Sequence, residues 1–299
     1  MTQLLHVEQL TKKYGDYAAV DLISFVLEEH TSTALIGPNG AGKTTTLSML
    51  AGLVTPTVGT IKLQGDAKQD MRSMIGFLPQ YPKFFPWLSA LEFTEMAARL
   101  SGVPTKQAIA EAKKTLEFVG LGEAMNKKTG TFSGGMKQRL GLAQAIVHKP
   151  KLLLLDEPVS ALDPVGRRQV MNLLKALQQE TTILYSTHIL NDAEEMTDQL
   201  LFLRQGKLVE HGSLEDVRAR YADPRIVIEF DTVEEVKRFT QKVAWQVASQ
   251  GLVASVDVQM EGIEMATVLA LLNSESFAVR KVERQTASLE EIFMKVAVV

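Results

Sequence analysis

The stretch Gly37-Pro38-Asn39-Gly40-Ala41-Gly42-Lys43-Thr44 decides the fold of this chain. It matches the pattern G-x-x-x-x-G-K-[ST] and lies between a predicted strand, residues 33–36, and a predicted helix, residues 44–53. Glycines let the backbone wrap so that several N–H groups point at phosphate oxygens, and the helix N-terminus adds a partial positive charge. We therefore expect a phosphate-binding loop. A glycine-rich turn without a ligand is the alternative, but it would leave the donors of the helix start unpaired.

Three side chains at the end of this loop have predicted roles. Lys43 is expected to reach the β- and γ-phosphates of a nucleotide, and the Thr44 hydroxyl is expected to ligate Mg²⁺. Thr45 is a further donor, directed to the α-phosphate. The loop thus predicts a nucleoside triphosphate as the ligand.

A second motif follows a run of four leucines at residues 152–155, where Asp156 and Glu157 stand side by side. A buried strand that ends in Asp is how a sheet places a carboxylate beside Mg²⁺, directly or through water. Glu157 then faces the γ-phosphate and is the candidate general base for the attacking water. A strand ending in Asp-Glu is common by itself, so this prediction depends on the phosphate loop that precedes it.

Ser133-Gly134-Gly135 opens the helix that precedes the leucine strand. A serine followed by two glycines at a helix start is a second candidate anion-binding N-terminus. By itself this motif is better explained as a plain helix cap.

Taken together, these motifs resemble the ATPase subunits of ABC transporters in their order and approximate spacing, over about residues 1–217. The resemblance implies an α/β fold, a P-loop NTPase cassette of the ABC type with a RecA-like mixed sheet core and a helical subdomain at about 88–147. It also implies ATP and Mg²⁺ as cofactors. Two cassettes, forming a homodimer or a heterodimer, would close head-to-tail around two nucleotides, and the second subunit would contribute Ser133, Gly134 and Gly135.

The resemblance assigns roles to four further residues. Gln80 falls at the Q-loop position, as a Mg²⁺ ligand and a relay to the membrane partner, and Asp163 ends Ser160-Ala161-Leu162-Asp163, which resembles the D-loop between subunits. His188 resembles the switch histidine at the γ-phosphate. Tyr14 resembles the aromatic residue that stacks on adenine, although Tyr17 is close enough to compete. The predicted site comprises Tyr14, Gly37, Pro38, Asn39, Gly40, Ala41, Gly42, Lys43, Thr44, Thr45, Gln80, Ser133, Gly134, Gly135, Asp156, Glu157, Asp163 and His188.

Two departures from the commonest family pattern point to a branch. Phe132 and Met136 flank the Ser-Gly-Gly motif where Leu and Gln are usual, and the Met136 variant resembles bacterial drug and antibiotic exporters. Residues 287–293, Ala-Ser-Leu-Glu-Glu-Ile-Phe, resemble the C-terminal motif of that branch. We therefore expect export rather than import.

The composition restricts the partners. The 299 residues are 45% apolar and 22% charged with a net charge of −3, which gives no electrostatic argument for nucleic acid. There is no cysteine, so disulfides and thiolate metal sites are excluded. No signal peptide is expected at the N-terminus, and no apolar run reaches the roughly 20 residues that span a bilayer. The predicted location is cytoplasmic, on the inner face of the membrane, through a multi-spanning permease that another chain supplies.

The second domain is predicted at residues 225–299, after a break in the pattern near 218–224. It alternates strands and helices as a small α+β unit, with a role in dimerisation, regulation or bracing. The aromatic stretch at residues 84–87 is either a docking surface for the permease or an ordinary core turn.

Two other classes of protein compete with a transporter subunit. ABC ATPases of translation carry two cassettes in one chain, and those of DNA repair insert long coiled coils, whereas this chain has one cassette and no heptads. A P-loop kinase or GTPase would leave Ser133–Gly135 and His188 unexplained.

Overall fold

The structure, a computed structural model, describes residues 2–64, 70–160, 162–221, 224–258, 262–285 and 288–298. Two predicted motifs extend beyond these ranges, because Ala161 and Ala287 lie outside the described residues. The chain divides into two compact units, Met1–Leu214 and Glu215–Val299. The domain limits expected from the sequence, 1–217 and 225–299, stay predictions.

A six-stranded sheet forms the centre of the first unit. Its strands, in spatial order, are β5 (Ile75–Leu78), β6 (Leu152–Asp156), β7 (Thr182–Thr187), β3 (Ser32–Ile36), β8 (Gln199–Arg204) and β9 (Lys207–Ser213). The first five are parallel, and β9 returns antiparallel to β8 through the turn at Gln205-Gly206. Every residue of β3, β6 and β7 is buried, which explains the run of four leucines in β6 and the absence of polar–apolar alternation in all three strands. Parallel strands bring their carboxyl ends to one edge of the sheet, and the predicted site residues follow those ends.

A three-stranded antiparallel sheet also belongs to the first unit, and its apolar residues share one hydrophobic core with those of the six-stranded sheet. Its strands are β1 (Gln3–Tyr14), β2 (Tyr17–Glu28) and β4 (Val58–Leu63), in the order β2-β1-β4. The hairpin between β1 and β2 pairs Tyr14 with Tyr17, so both candidate adenine-stacking residues lie at one turn.

Helices cover the sheet and form the predicted helical insertion. In the first unit they are α1 (Lys43–Leu50), α2 (Ala90–Leu100), α3 (Thr105–Phe118), α4 (Gly134–Ile146), α5 (Pro164–Leu177) and α6 (Leu190–Met196), with α7 (Leu214–Arg220) leading into the second unit. Short 3₁₀ helices occupy Met71–Met74, Gly122–Ala124 and Thr129–Thr131. A capping box begins α2, since Ser89 Oγ accepts from the Glu92 N–H and Glu92 Oε2 accepts from the Ser89 N–H. The described helices carry no segment long and apolar enough to cross a bilayer.

The second unit is a four-stranded antiparallel sheet with helices between its strands. Its elements are β10 (Arg225–Phe230), α8 (Val233–Lys242), β11 (Val247–Gln250), β12 (Val253–Asp257), α9 (Met265–Ser274), β13 (Val279–Gln285) and α10 (Leu289–Val298). The spatial order β11-β12-β10-β13 is that of a ferredoxin-like split β-α-β motif. Phe230, Phe239 and Phe277 meet at centroid distances of 5.3 to 5.9 Å in its core. This agrees with the predicted α+β character, although β11 was not predicted.

Candidate nucleotide site

The loop between β3 and α1 is shaped by glycines that no larger residue can replace. A Cβ on Gly37 would lie 2.3 Å from the Leu203 carbonyl oxygen, and one on Gly42 would lie 2.5 Å from that of Ala19. Gly40 and Gly42 also have φ angles of 80° and 103°, in the left-handed region that favours glycine. The loop therefore wraps closely against its neighbours and leaves its other side for a ligand.

Lys43 begins α1 with its ammonium group inside this loop. Its Nζ donates to the carbonyl oxygens of Gly37 at 2.7 Å and Pro38 at 3.2 Å. Burial lowers the pKa of Lys43, and the negative charges of Glu157 and Asp156 partly oppose this shift. No side chain caps the N-terminus of α1, so the backbone donors of its first turn face the loop without a side-chain acceptor.

Asp156, the last residue of β6, is held from two directions. Thr44 Oγ1 donates to its Oδ2 at 2.8 Å, and Ser186 Oγ on the neighbouring strand β7 donates to its Oδ1 at 2.6 Å. The Ser186 contact follows from the strand register, which places Ser186 directly opposite Asp156. The carboxylate of Asp156 is thus fixed beside the end of the phosphate loop.

Glu157 turns out of the sheet immediately after Asp156. Its φ angle is 51°, which is uncommon for a residue with a side chain, and its N–H donates to Ser186 Oγ at 2.9 Å. Its buried carboxylate contacts exposed His188, whose Nδ1 lies 2.7 Å from Oε2. A carboxylate held by an imidazole at the edge of a phosphate loop suits proton abstraction from water.

Lys43, Thr44, Asp156 and Glu157 line one cavity of about 310 Å³, whereas His188, Gly37 and Pro38 do not line it. It is lined by Tyr14, Tyr17, Ala19, Asn39, Gly40, Ala41, Gly42, Lys43, Thr44, Thr45, Gln80, Asp156 and Glu157. Most of the predicted site residues are therefore brought together. Both tyrosines line the cavity, so the choice between Tyr14 and Tyr17 stays open.

Other predicted residues do not line this cavity. Ser133 caps α4 by accepting from the Met136 N–H at 3.3 Å, and both Ser133 and Gly134 are exposed. Asp163 is an exposed cap of α5 that accepts from the Gly166 N–H at 3.1 Å. Their predicted contacts with nucleotide in a second cassette stay predictions.

Two functional residues were not found from the sequence. Ser186 holds both Asp156 and Glu157, and only the pairing of β6 with β7 reveals it. Gln138, buried in α4, donates from Nε2 to the Pro158 carbonyl at 2.8 Å and ties the Ser-Gly-Gly helix to the segment after Glu157. No pattern in the sequence signals this second contact.

The fold and the cavity together define a phosphate-loop nucleotide-binding cassette. An ABC transporter ATP-binding protein of Bacillus subtilis, YxlF, is 42% identical over 297 residues, which cover 98% of this chain and 99% of that protein. The chain belongs to the family of ABC transporter ATP-binding proteins.

Two further relatives carry names that describe antibiotics. The bacitracin transport ATP-binding protein BcrA of Bacillus licheniformis is 38% identical over 226 residues, 74% of this chain and 73% of that protein. The linearmycin resistance ATP-binding protein LnrL of Bacillus subtilis is 32% identical over 289 residues, 95% of this chain and 91% of that protein. The predicted resemblance to the bacterial drug and antibiotic branch is thereby confirmed.

Family models and solved structures agree with this assignment. Residues 20–160 match the ABC transporter family, and residues 212–297 match the C-terminal domain of DrrA1-3-like ATP-binding proteins. The ATP-binding subunit of an ABC transporter superposes with a TM-score of 0.66 at 30% identity, covering 73% of this chain and 93% of that one. A dimeric ATP-binding cassette in a post-hydrolysis state bound to ADP and Pi superposes with a TM-score of 0.64 at 26% identity, covering 71% and 99%. The chain is thus an ATP-binding and ATP-hydrolysing subunit, and the predicted cassette fold is confirmed.

Proposed function

We propose that this chain drives an export permease by hydrolysing ATP·Mg²⁺ in the cavity described above, with each side chain in a definite role. The amides of residues 39–45 and the ammonium of Lys43 bind the phosphates, and Tyr14 stacks on adenine. Thr44, Gln80 and Asp156 hold Mg²⁺.

The residues at the metal position suit Mg²⁺. Thr44 Oγ1 and Asp156 Oδ2 already lie 2.8 Å apart, and Gln80 lines the same cavity. Mg²⁺ prefers oxygen ligands and is commonly held by one or two carboxylates together with substrate phosphates. A bound Mg²⁺ would neutralise charge on the β- and γ-phosphates during transfer to water.

Glu157 acts as general base on the attacking water, and His188 holds its carboxylate. The support is the 2.7 Å contact between His188 Nδ1 and Glu157 Oε2 together with the Ser186 bond to the Glu157 N–H. These contacts leave the carboxylate little freedom, so the base is preorganised at the cavity. This arrangement is the observation on which the proposed function chiefly rests.

The complete site requires a second cassette, identical or different. Ser133 and Gly134 are exposed and Gly135 is half-buried at a helix start, and none of the three lines the cavity of its own chain. This placement suits a contribution to the nucleotide of a partner cassette. Asp163, which caps the next helix, lies on the segment that links the two subunits. The similar cassette bound to ADP and Pi is a dimer, which supports this assembly.

The permease docks on an aromatic patch formed by Tyr81, Phe85 and Trp87. Their exposed fractions are 71%, 45% and 66%, and the Phe85 and Trp87 rings lie 5.3 Å apart. Phe84 instead makes an edge-to-face contact with Phe93, as a core turn would, and the docking role is proposed only for the exposed side chains. Because the patch directly follows Gln80, motion at the cavity reaches it through a short segment. Docking would hold the chain at the inner face of the membrane.

Export is favoured over import by the relatives. BcrA is named for bacitracin transport and LnrL for linearmycin resistance, and resistance through a transporter is consistent with removal of the drug. The match to the C-terminal domain of DrrA1-3-like proteins, residues 212–297, covers nearly all of the second unit and supports the same branch.

Recovery of a membrane protein with the chain tests this proposal. Pull-down from detergent-solubilised membranes should recover a multi-spanning protein with the wild type and far less with Tyr81→Ala/Trp87→Ala. Leu100→Ala is the matched control, since Leu100 is equally exposed but lies at the end of α2. Recovery of ribosomes or DNA in place of a membrane protein would contradict the proposal.

A further inference from the structure

A partly buried ion pair joins α5, the helix after the Glu157 segment, to α6, the helix after His188. Arg167 in α5 donates from Nε to Oδ1 of Asp192 in α6 at 2.8 Å, and its Nη2 contacts the same oxygen. The side-chain exposures are 31% for Arg167 and 7% for Asp192. Asp192 Oδ2 is buried and, among the described residues, has no hydrogen-bond partner. The charge of Asp192 therefore depends on this one guanidinium group.

The ion pair connects the two chain segments that follow the catalytic residues Glu157 and His188. The chain leaves Glu157, passes through the segment that ends at Asp163, and enters α5, where Arg167 lies within the first turns. Asp192 follows His188 by four residues, at the start of α6. His188 and Glu157 themselves are also in contact. The two chain segments that leave Glu157 and His188 are thus joined a second time, away from the cavity.

We propose that Arg167 is a positioning residue for ATP hydrolysis. Its ion pair with Asp192 keeps the imidazole of His188 in contact with the carboxylate of Glu157. Without the pair, the start of α6 loses its link to α5, so it can shift and move His188 with it, whereas the end of α6 keeps its own ion pairs to α5. Displacement of a positioned group by about 1 Å can reduce turnover by about 100-fold. The inference rests on the roles assigned above to Glu157 and His188.

A second set of ion pairs between the same helices provides the control. Arg168 Nη1 lies 2.6 Å from Glu195 Oε1, and Lys175 Nζ lies 2.8 Å from the same oxygen. The side chains of Arg168 and Glu195 are 61% and 35% exposed, so water and salt screen this pair. Arg168→Met removes an ion pair one residue along the same helix without uncovering a buried charge.

The experiment compares steady-state ATPase kinetics of the full chain in five forms: wild type, Arg167→Met, Arg167→Lys, Arg167→Met/Asp192→Asn and Arg168→Met. Thermal melting checks folding, and fluorescence titration measures ATP affinity. We expect kcat of Arg167→Met to fall roughly 10- to 100-fold, with KM and ATP affinity changed by less than about twofold. Arg167→Lys should recover part of the loss, and Arg168→Met should match the wild type.

Arg167→Met leaves Asp192 buried and uncompensated, so this variant is at risk of not folding. The double variant Arg167→Met/Asp192→Asn carries no charge at either position and tests the same displacement of His188 from Glu157. A wild-type kcat in either folded variant would overturn the inference. An equal loss in Arg168→Met, or a loss of ATP affinity that matches the loss of kcat, would also overturn it, because either indicates a general structural effect.

His188→Ala separates this inference from the proposed function. Arg167→Met should add little further loss in the His188→Ala background, since both changes act through the same contact. If the losses of kcat were additive, only the positioning role of Arg167 would be refuted, and the role assigned to His188 would stand. Normal turnover by His188→Ala itself would instead contradict the role assigned to His188.

Discussion

The imidazole of His188 and the carboxylate of Glu157 are in direct contact, with Nδ1 2.7 Å from Oε2, although 31 residues separate them in the chain. β6 and β7 are adjacent parallel strands, so the residues that follow their carboxyl ends meet at one edge of the sheet. The contact orients a carboxylate whose residue also lines the nucleotide cavity.

The first prediction concerns Glu157 as general base. Glu157→Gln keeps the shape of the side chain but removes the charge that polarises water, so hydrolysis should fall by roughly 10²–10⁴-fold. ATP should still bind, and an ATP-stabilised dimer should appear in light scattering. Near-normal turnover would exclude this role for Glu157.

The second prediction concerns Ser186, which bonds to both Asp156 Oδ1 and the Glu157 N–H. Ser186→Ala leaves a buried carboxylate oxygen and a buried N–H without this partner, so kcat should fall about tenfold, equivalent to about 1.4 kcal/mol of transition-state stabilisation. Ser32→Ala is the control: Ser32 is a buried serine on β3, and its hydroxyl has no hydrogen-bond partner in the described part of the chain. Its kcat should equal that of the wild type; equal losses in both variants would refute a specific role for Ser186.

The third prediction concerns Lys43 and its phosphate contacts. Lys43→Met should weaken ATP binding in fluorescence titration while circular dichroism stays native, because the variant loses the ammonium but keeps an apolar side chain. Unchanged affinity in the folded variant would contradict the assignment.

The lowered pKa of Lys43 also predicts how stability depends on pH. The folded protein releases this proton at a lower pH than the unfolded chain, so between the two pKa values the unfolded state binds more protons. Stability of the wild type relative to Lys43→Met should therefore rise with pH as the solution passes from the lowered pKa towards the ordinary lysine value. Urea unfolding of both proteins across the alkaline range measures the difference, and a falling difference would contradict the burial effect.

The fourth prediction concerns the second unit. A chain ending at Arg220, the last residue of α7, should stay soluble and bind ATP if the nucleotide site belongs to the first unit alone. Size-exclusion chromatography and ATP titration measure this. Unfolding of the truncated chain would mean that residues 225–299 contribute to the core of the cassette.

The fifth prediction concerns the sharing of each site between two cassettes. Lys43→Ala and Ser133→Arg each damage both sites of a homodimer, but a mixed dimer contains one site with an intact Lys43 and an intact Ser133. Mixing should restore ATP-dependent association, with hydrolysis also if one site turns over alone.

The control for this mixing experiment is the double variant Lys43→Ala/Ser133→Arg, which has no intact site in any pairing. The assay uses purified chain without a permease or a second kind of cassette. If two folded single variants do not recover nucleotide-dependent association, the site is not shared in the proposed way.

The parts of the structure that were predicted have local causes. The buried strand β6 follows from its leucines, and the phosphate loop follows from its glycines. Each of these signals lies within a few consecutive residues. Local sterics and hydrogen bonding therefore suffice to determine them.

The parts that were missed depend on tertiary contacts. The role of Ser186 depends on the register of β7 against β6, and the pairing of Arg167 with Asp192 depends on the packing of α5 against α6. The strand β11 was missed because three of its four residues are exposed and show no apolar alternation. No local pattern carries this information, so the sequence alone left these residues without a role.

The ammonium of Lys43 has a substitute for its ligand within the protein. Its bonds to the carbonyls of Gly37 and Pro38 use two of the three N–H donors of the ammonium, so one donor remains for a ligand. The two carbonyls hold the lysine side chain in place, so binding need not immobilise a flexible chain. Immobilising a lysine side chain costs about 1.5–2 kcal/mol of rotamer entropy, and the fold of the loop has already met this cost. A site that must fill and empty in every cycle thereby keeps its shape between rounds.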